Sequence, residues 1–166
     1  MFPSLINTGS DGFQQNRNTM LESIDALRKL EAKAAQISEK RRARFAERGQ
    51  ITPRERLARL LDPGMPWLRL HSVAGYLIDD DDPEKSIAGA TFITGIGYIS
   101  GIRSMVVVYD SGINAGALGP LAFQALKSVQ DIARRQKLPF VHLVESAGAN
   151  LMKYQVEDWA LGGAVF

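Results

Sequence analysis

Apolar residues recur at intervals of three and four between Asn18 and Arg48, with charged residues between them. No proline or glycine interrupts this stretch, so the pattern predicts one long amphipathic helix, lying on its own domain or on a neighbouring subunit. Thr19 and Glu22 have the spacing of a capping box at its start. Residues 1–16 are polar and unpatterned, and we expect an arm that orders only against another surface. The apolar positions of the predicted helix are Leu21, Ile24, Leu27, Leu30, Ala34 and Ile37.

A second helix is predicted shortly after the first. Thr52 is a preferred N-cap residue, Pro53 suits the first helical position, and Asp62–Gly64 ends the helix. We therefore expect residues 1–64 to form an N-terminal arm and amphipathic helices, and residues 65–166 to begin an α/β domain. The apolar positions on one face of the second helix are Leu57, Leu60 and Leu61.

The second half of the chain alternates strand and helix patterns. Glycines at 95, 97 and 101 are interpreted as turns or bulges between the first strands. A right-handed crossover helix makes the strands before and after it parallel, so the loops that follow them meet at the edge where α/β sheets bind ligands. The predicted strands are Ala88–Ile93, Tyr98–Ile102, Met105–Tyr109 and a buried strand at Phe140–Val144. The predicted inward positions of the helix after Pro120 are Ala122, Ala125, Leu126, Val129, Ile132 and Ala133.

Two loops of small residues follow the parallel strands, at Ser111–Pro120 and Ser146–Ala149. Their lack of side-chain bulk lets a ligand approach main-chain N–H groups, which would form an oxyanion hole if they pointed together. An ordinary strand-to-helix turn is the alternative interpretation. Gly112, Gly116 and Gly119 do not have the spacing of a dinucleotide or phosphate-binding loop. A serine hydrolase is disfavoured because Ser146 lacks the preceding glycine of a nucleophile elbow.

Composition and charge narrow the functional classes. The 166 residues are 45% hydrophobic and 23% charged, which is typical of a globular α/β protein, and no apolar run could span a bilayer. The absence of cysteine fits a cytoplasmic location. Positive charge is concentrated between Arg17 and Arg59, which suits an anionic small molecule better than nucleic acid because Phe45 is the only aromatic residue there. No metal is expected, since neither His142 nor Asp79–Asp82 has ligand spacing.

Several segments together resemble one enzyme family. Arg48–Leu57 with Leu61–Gly64 resembles the opening "ERG-x-x-T-x-RERI-x-x-LLD-x-G" of the carboxyltransferase (β) subunits of biotin-dependent acyl-CoA carboxylases. Thr94–Gly97, Asp110–Pro120 and Leu138–Leu151 agree with that family in order and spacing. The resemblance implies an α/β fold of the crotonase-like (ClpP/crotonase) class, an incomplete superhelix of ββα units preceded by N-terminal helices.

The resemblance also implies an activity and its site. The family transfers the carboxyl group of carboxybiotin to the carbanion of an acyl-CoA, and paired main-chain N–H groups stabilise the enolates. Its "D-S-G-G-A" loop matches Glu145–Ala149, which implies that the amides of Ala147 and Gly148 are the oxyanion donors. Asn150-Leu151 resembles the methylcrotonyl-CoA and geranyl-CoA branch, and this favours a branched or unsaturated acyl-CoA. The implied substrate-binding residues are Ser146, Ala149, Asn150, Asn114, Ala115 and Gly116.

The same resemblance implies partners for the chain, and it shows where this sequence departs from the family motifs. It implies biotin carried on a partner subunit or domain, a biotin carboxylase and biotin carboxyl carrier (alpha) subunit, and a homo-oligomer of beta subunits. Ala147 replaces a family glycine, and Asn114–Gly116 replaces "K-G-G". The chain would cover only the opening part of such a subunit, so we expect it to be inactive alone. Two alternatives are another crotonase-like acyl-CoA enzyme (hydratase, isomerase or decarboxylase) and a non-catalytic truncated scaffold that binds partner subunits.

Overall fold

The computed structural model describes residues 4–78, 80–89, 91–148, 156–157 and 160. Within these ranges the helices are α1 (Asp11–Glu39), α2 (Arg42–Glu47), α3 (Pro53–Leu60) and α4 (Pro120–Gln136). The strands are β1 (Leu68–Leu70), β2 (Phe92–Ile99), β3 (Ile102–Tyr109) and β4 (Phe140–Leu143). Among the helices described, none is both long and apolar enough to cross a membrane.

The strands form one mixed sheet in the order β1-β2-β3-β4. The pairs β1–β2 and β2–β3 are antiparallel, whereas β3 and β4 are parallel. Because α4 connects the two parallel strands, their carboxyl ends at Tyr109 and Leu143 lie at the same edge. The predicted parallel pairing across α4 and the shared edge are confirmed. The last strand is half-buried at the side of the sheet, not buried as predicted.

Helix α4 supplies most of one side of the core. Its buried positions pack against β2 and β3 residues, including Phe92, Met105 and Tyr109. Apolar residues three and four apart share one helix face, which is why this face could be predicted. Five of the six predicted inward positions are buried and Ile132 is partly buried against them; the buried ones are Ala122, Ala125, Leu126, Val129 and Ala133.

Helix α1 begins earlier than predicted. It starts at Asp11 because the Ser10 hydroxyl accepts a hydrogen bond from the amide of Phe13 at 3.2 Å, which caps the first turn. The predicted capping box at Thr19 and Glu22 is wrong, since both residues lie inside the helix. The predicted arm is correspondingly helical from residue 11 onwards.

The long helix predicted to reach Arg48 is divided in two. The chain turns at Lys40 and Arg41, where Arg41 has φ −95° and ψ 3°, before α2 begins. No glycine or proline marks this turn in the sequence, so the helical pattern runs through it. After the turn, α2 buries Phe45, which is 6% exposed.

Only the C-terminal part of α1 packs on the domain. Ala34 and Ser38 are buried there, and the Lys33 ammonium donates hydrogen bonds to two main-chain carbonyls of the 83–84 turn, each at 2.8 Å. Leu21 and Leu27, in the first half, are 42% and 44% exposed. The predicted apolar stripe is therefore left without a partner over much of its length within the part of the chain that the structure describes.

Helix α3 begins as predicted. The Thr52 hydroxyl accepts from the amide of Glu55 at 3.3 Å, and the Glu55 carboxylate accepts from the amide of Thr52 at 2.9 Å, which completes a capping box. Hydrogen bonds from Arg42 and then from Thr52 lower the pKa of Glu55 to about 2. Leu57, with Leu60 and Leu61 beside it, packs on the face of the sheet opposite α4. The division of the chain after residue 64 stays a prediction.

The two strands predicted at 88–93 and 98–102 are one strand, β2. Gly95 and Gly97 lie inside it and do not mark turns. The reason is the Trp67 ring, because a Cβ on Gly95 would lie 2.5 Å from Cζ2 of that ring. Only Gly101 acts as predicted, with φ +78° in the turn to β3.

We predict that Gly95→Ala destabilises the chain by about 1–3 kcal/mol, because the added methyl group overlaps Trp67 and the carbonyl oxygen of Leu68. Urea unfolding measures the change. Gly12→Ala is the matched control, since a Cβ there meets nothing within 4 Å and alanine favours the helix by up to about 1 kcal/mol. Equal stability of the two variants would contradict the packing described here.

Candidate active site

Two loops meet beyond the carboxyl ends of β3 and β4. We call Ser111–Gly119 the first loop and Glu145–Gly148 the second loop. The amide of Ala147 donates to the carbonyl of Ala115 at 3.0 Å, and the amide of Leu118 donates to the carbonyl of Gly148 at 3.0 Å. These main-chain bonds in both directions hold the two loops together.

Ser146 and Gly116 also join the two loops. The Ser146 hydroxyl donates to the carbonyl of Gly116 at 2.7 Å. Gly116 has φ +68°, and a Cβ at this position would overlap the carbonyl oxygen of Glu145. Glycine at 116 is therefore required by the approach of the second loop, and it also suits the left-handed backbone.

The two predicted oxyanion donors already have acceptors inside the loops. The amide of Ala147 is bonded to Ala115, and the amide of Gly148 donates to the Ser146 hydroxyl at 2.9 Å. Both residues are exposed. A ligand oxygen would have to replace these acceptors, and the role of the two amides stays a prediction. Ala149 and Asn150 lie outside the described residues.

The departures from the family pattern have different consequences for the backbone. Gly148 has φ +94°, whereas Ala147 is not among the residues with positive φ, so its methyl group imposes no left-handed strain. Asn114 and Ala115 do have positive φ, at 47° and 53°. Because left-handed backbone disfavours residues with a Cβ, the unusual conformation lies in the first loop, at the "K-G-G" replacement.

A cavity of about 470 Å³ lies between α2 and the two loops. Asn114, Ala115, Ser146 and Ala147 are among its lining residues, so the structure brings these predicted site residues together. The opposite wall is basic. It contains three arginine side chains for which no ion pair is found with any described residue: Arg41, Arg44 and Arg48.

This arginine wall was not singled out in the sequence. Its members are spaced by three and four residues and so share one side of the segment around α2. That spacing was the available signal in the sequence, but its meaning depends on the turn before α2, which the sequence does not mark.

Among the described residues, no group of three or more His, Asp or Glu side chains gathers as metal ligands.

Asp110 is a buried carboxylate that holds the start of the first loop by hydrogen bonds. It is 1% exposed, accepts from the Ser38 hydroxyl at 2.6 Å and accepts from the amide of Gly112 at 3.1 Å. Burial raises the pKa of Asp110, while Ser38 and the positive charge of Arg54 act in the opposite direction. The C-terminal end of α1 is thereby connected to the start of the first loop.

Glu145 connects the second loop to its surroundings. Its carboxylate accepts from the Ser111 hydroxyl at 2.7 Å and forms an ion pair with Arg56 of α3. The Glu145 and Arg56 side chains are each 23% exposed. Both loops and α3 therefore meet at one carboxylate.

The β2-β3-α4 order followed by a parallel strand defines a ββα unit, and the cavity lies at the carboxyl edge of its sheet. The chain belongs to the carboxyltransferase family, because the family described as "Carboxyl transferase domain" matches residues 44–166. Its fold is crotonase-like α/β, as the resemblance implied.

Known proteins extend this assignment. Over 124 residues the chain is 40% identical to the biotin-dependent 3-methylcrotonyl-coenzyme A carboxylase beta1 subunit of Mycobacterium tuberculosis, covering 74% of this chain and 22% of that protein. The beta subunit of P. aeruginosa geranyl-CoA carboxylase has a TM-score of 0.90 and 40% identity, covering 99% of this chain and 30% of that one. Transcarboxylase 12S, at 20% identity and a TM-score of 0.70, covers 89% of this chain and 28% of its own and supports the fold alone. The chain thus spans less than a third of each of these proteins.

We predict that Gly116→Ala destabilises the chain by about 1–3 kcal/mol and separates the two loops, because the methyl group overlaps the Glu145 carbonyl. Thermal unfolding measures the first effect, and faster amide exchange at Ala147 measures the second. Gly119→Ala is the control in the same loop: φ there is −95° and a Cβ meets nothing within 4 Å. If both variants behave alike, the close approach at Gly116 is not what joins the loops.

Proposed function

We propose that this chain is part of the carboxyltransferase subunit of a biotin-dependent acyl-CoA carboxylase. In this role it takes part in moving a carboxyl group from carboxybiotin to an acyl-CoA. The observation that carries the proposal is the cavity in which three arginines, without an ion pair to any described residue, face two loops of small residues. Family membership and the biotin-dependent relative support it.

The arginine wall suits the phosphates of coenzyme A. A guanidinium group binds phosphate through directed, charge-assisted hydrogen bonds, and a side chain without an internal ion pair has these donors available. Arg41, Arg44 and Arg48 would therefore hold the nucleotide end of an acyl-CoA. The thioester would then reach the loops on the opposite wall of the same cavity.

The amides of Ala147 and Gly148 suit the thioester end. Removal of a carboxyl acceptor's proton places negative charge on the thioester oxygen, and main-chain donors aimed at this oxygen stabilise it. The enolate oxygen would take the places now held by the Ala115 carbonyl and the Ser146 hydroxyl. A change of the Ser146 χ1 rotamer would move its Oγ away from the amide of Gly148 and free that donor.

Substrate and partners are proposed on the same basis. The methylcrotonyl-CoA and geranyl-CoA carboxylase relatives favour a branched or unsaturated acyl-CoA. Biotin would arrive on a partner subunit or domain, supplied by a biotin carboxylase and biotin carboxyl carrier (alpha) subunit, and the beta subunits would form a homo-oligomer. Cytoplasm is the proposed location, in keeping with a chain without cysteine.

We predict that Arg44→Gln and Arg48→Gln each weaken coenzyme A binding by about tenfold, since each removes a charge-assisted bond to phosphate. Titration calorimetry with coenzyme A at two salt concentrations measures the affinity and its salt dependence. Arg59→Gln removes the same charge from an exposed position of α3 outside the cavity, and affinity should not change. Unchanged affinity in both cavity variants would exclude the arginine wall as the phosphate site.

We predict that Gly148→Pro lowers carboxyl transfer by about 10²–10³-fold because it removes one proposed oxyanion donor. Gly148→Ala is the comparison: it keeps the N–H group and is strained at φ +94°, whereas proline removes the N–H group and cannot adopt this φ. Turnover from carboxybiotin in the full-length chain with its biotin-carrying partner is the measurement. A loss that is equally large in the alanine variant would assign the effect to backbone strain. Acyl-CoA turnover without carboxybiotin would instead indicate another crotonase-like reaction.

A further inference from the structure

The carboxylate of Glu145 joins three separate parts of the chain. One oxygen accepts the Ser111 hydroxyl at the start of the first loop, at 2.7 Å, and the other pairs with Arg56 of α3. Glu145 itself follows β4 and begins the second loop. Because each oxygen has its own partner, one side chain fixes the position of the second loop relative to both neighbours.

This connection is sheltered. Both members of the Glu145–Arg56 pair are 23% exposed, so water and salt screen their attraction less than that of a fully exposed pair. The carbonyl of Glu145 lies against Gly116, so the main chain of the same residue also contacts the first loop. The start of the second loop is therefore connected to its surroundings through both its side chain and its main chain.

Further along the second loop, the hydrogen bonds are donated by main-chain amides and do not involve the Glu145 carboxylate. The amide of Ala147 donates to Ala115, and the amide of Gly148 donates to Ser146. Both bonds must open if these amides are to bind an enolate oxygen, whereas the bonds of the Glu145 carboxylate involve neither amide. The bonds of the Glu145 carboxylate can therefore persist while the amides of Ala147 and Gly148 exchange their acceptors.

We propose that Glu145 is a positioning residue, which anchors the second loop to α3 and to the first loop while the amides of Ala147 and Gly148 exchange their internal acceptors for the substrate. This inference rests on the proposed function of that loop. It assigns the carboxylate no contact with the reacting atoms.

Arg56 has a second effect on the same site. Glu145 lines the cavity, and a carboxylate without a partner would repel both the phosphates of coenzyme A and the enolate. Pairing with Arg56 offsets that charge. Loss of Arg56 should therefore weaken acyl-CoA binding, whereas loss of Glu145 should not.

Steady-state kinetics of the full-length chain with its biotin-carrying partner test the proposal. Glu145→Ala should lower kcat by about 10–100-fold, the size expected for a donor misplaced by about an ångström, with little change in KM for acyl-CoA. Ser111→Ala should lower kcat less, and the double variant should be no slower than Glu145→Ala alone because Ser111 acts through Glu145. Glu145→Asp, which keeps the charge, should recover most of the loss. Arg56→Gln should raise KM as well as lower kcat.

Glu47→Ala is the matched control, because it removes an exposed carboxylate of α2 and should leave kcat and KM unchanged. An unchanged kcat in Glu145→Ala, multiplying effects in the double variant, or an aspartate variant as slow as the alanine variant would overturn the proposal.

Amide hydrogen exchange of the chain without substrate gives an independent measurement. Exchange at Ala147 and Gly148 should be faster in Glu145→Ala and unchanged in Glu47→Ala, and equal exchange in the two variants would overturn the anchor. If the wild-type protein transfers no carboxyl group, the proposed function fails, while the exchange difference still reports on the anchor. The two failures are thereby distinguishable.

Discussion

The site depends on the main-chain approach of two loops at Gly116 and Glu145. Here a residue without a Cβ lets one backbone lie directly against another. The approach is possible because β3 and β4 are parallel neighbours, and α4 keeps them so by packing its apolar face on the sheet. The hydrogen bonds between the loops follow from this contact, as does the wall of the cavity that they form.

The elements that repeat a simple period could be predicted from the sequence. The inward face of α4 and the start of α3 at Thr52 were correct because apolar spacing and capping are local properties. The glycines of β2 were misinterpreted because their reason is the Trp67 ring, which belongs to another segment of the chain. The turn at Arg41 could not be predicted because no glycine or proline marks it in the sequence.

The candidate site was predictable in part. Small residues after parallel strands indicated the two loops, and the structure brings Ala115 and Ser146 into one cavity. The arginine wall could not be predicted, because its place opposite the loops depends on the turn that separates α1 from α2. Nor could the sequence show which acceptors the amides of Ala147 and Gly148 have. The Ala147 bond depends on how the two loops meet, and the Gly148 bond depends on the side-chain rotamer of Ser146 in its own loop.

The hydrogen bond from Gly148 to the Ser146 hydroxyl has a thermodynamic consequence. A donor that is already satisfied costs the free protein little, because no N–H group is left desolvated and unpaired. In the proposed role, a substrate oxygen would have to compete with the hydroxyl of Ser146, two residues away, and its measured affinity would be lowered by the fraction of time that this hydroxyl occupies the amide. In that role selectivity would gain from the competition, since a weakly basic ketone or ester oxygen would displace the hydroxyl poorly, whereas an oxygen that bears developing charge would displace it well.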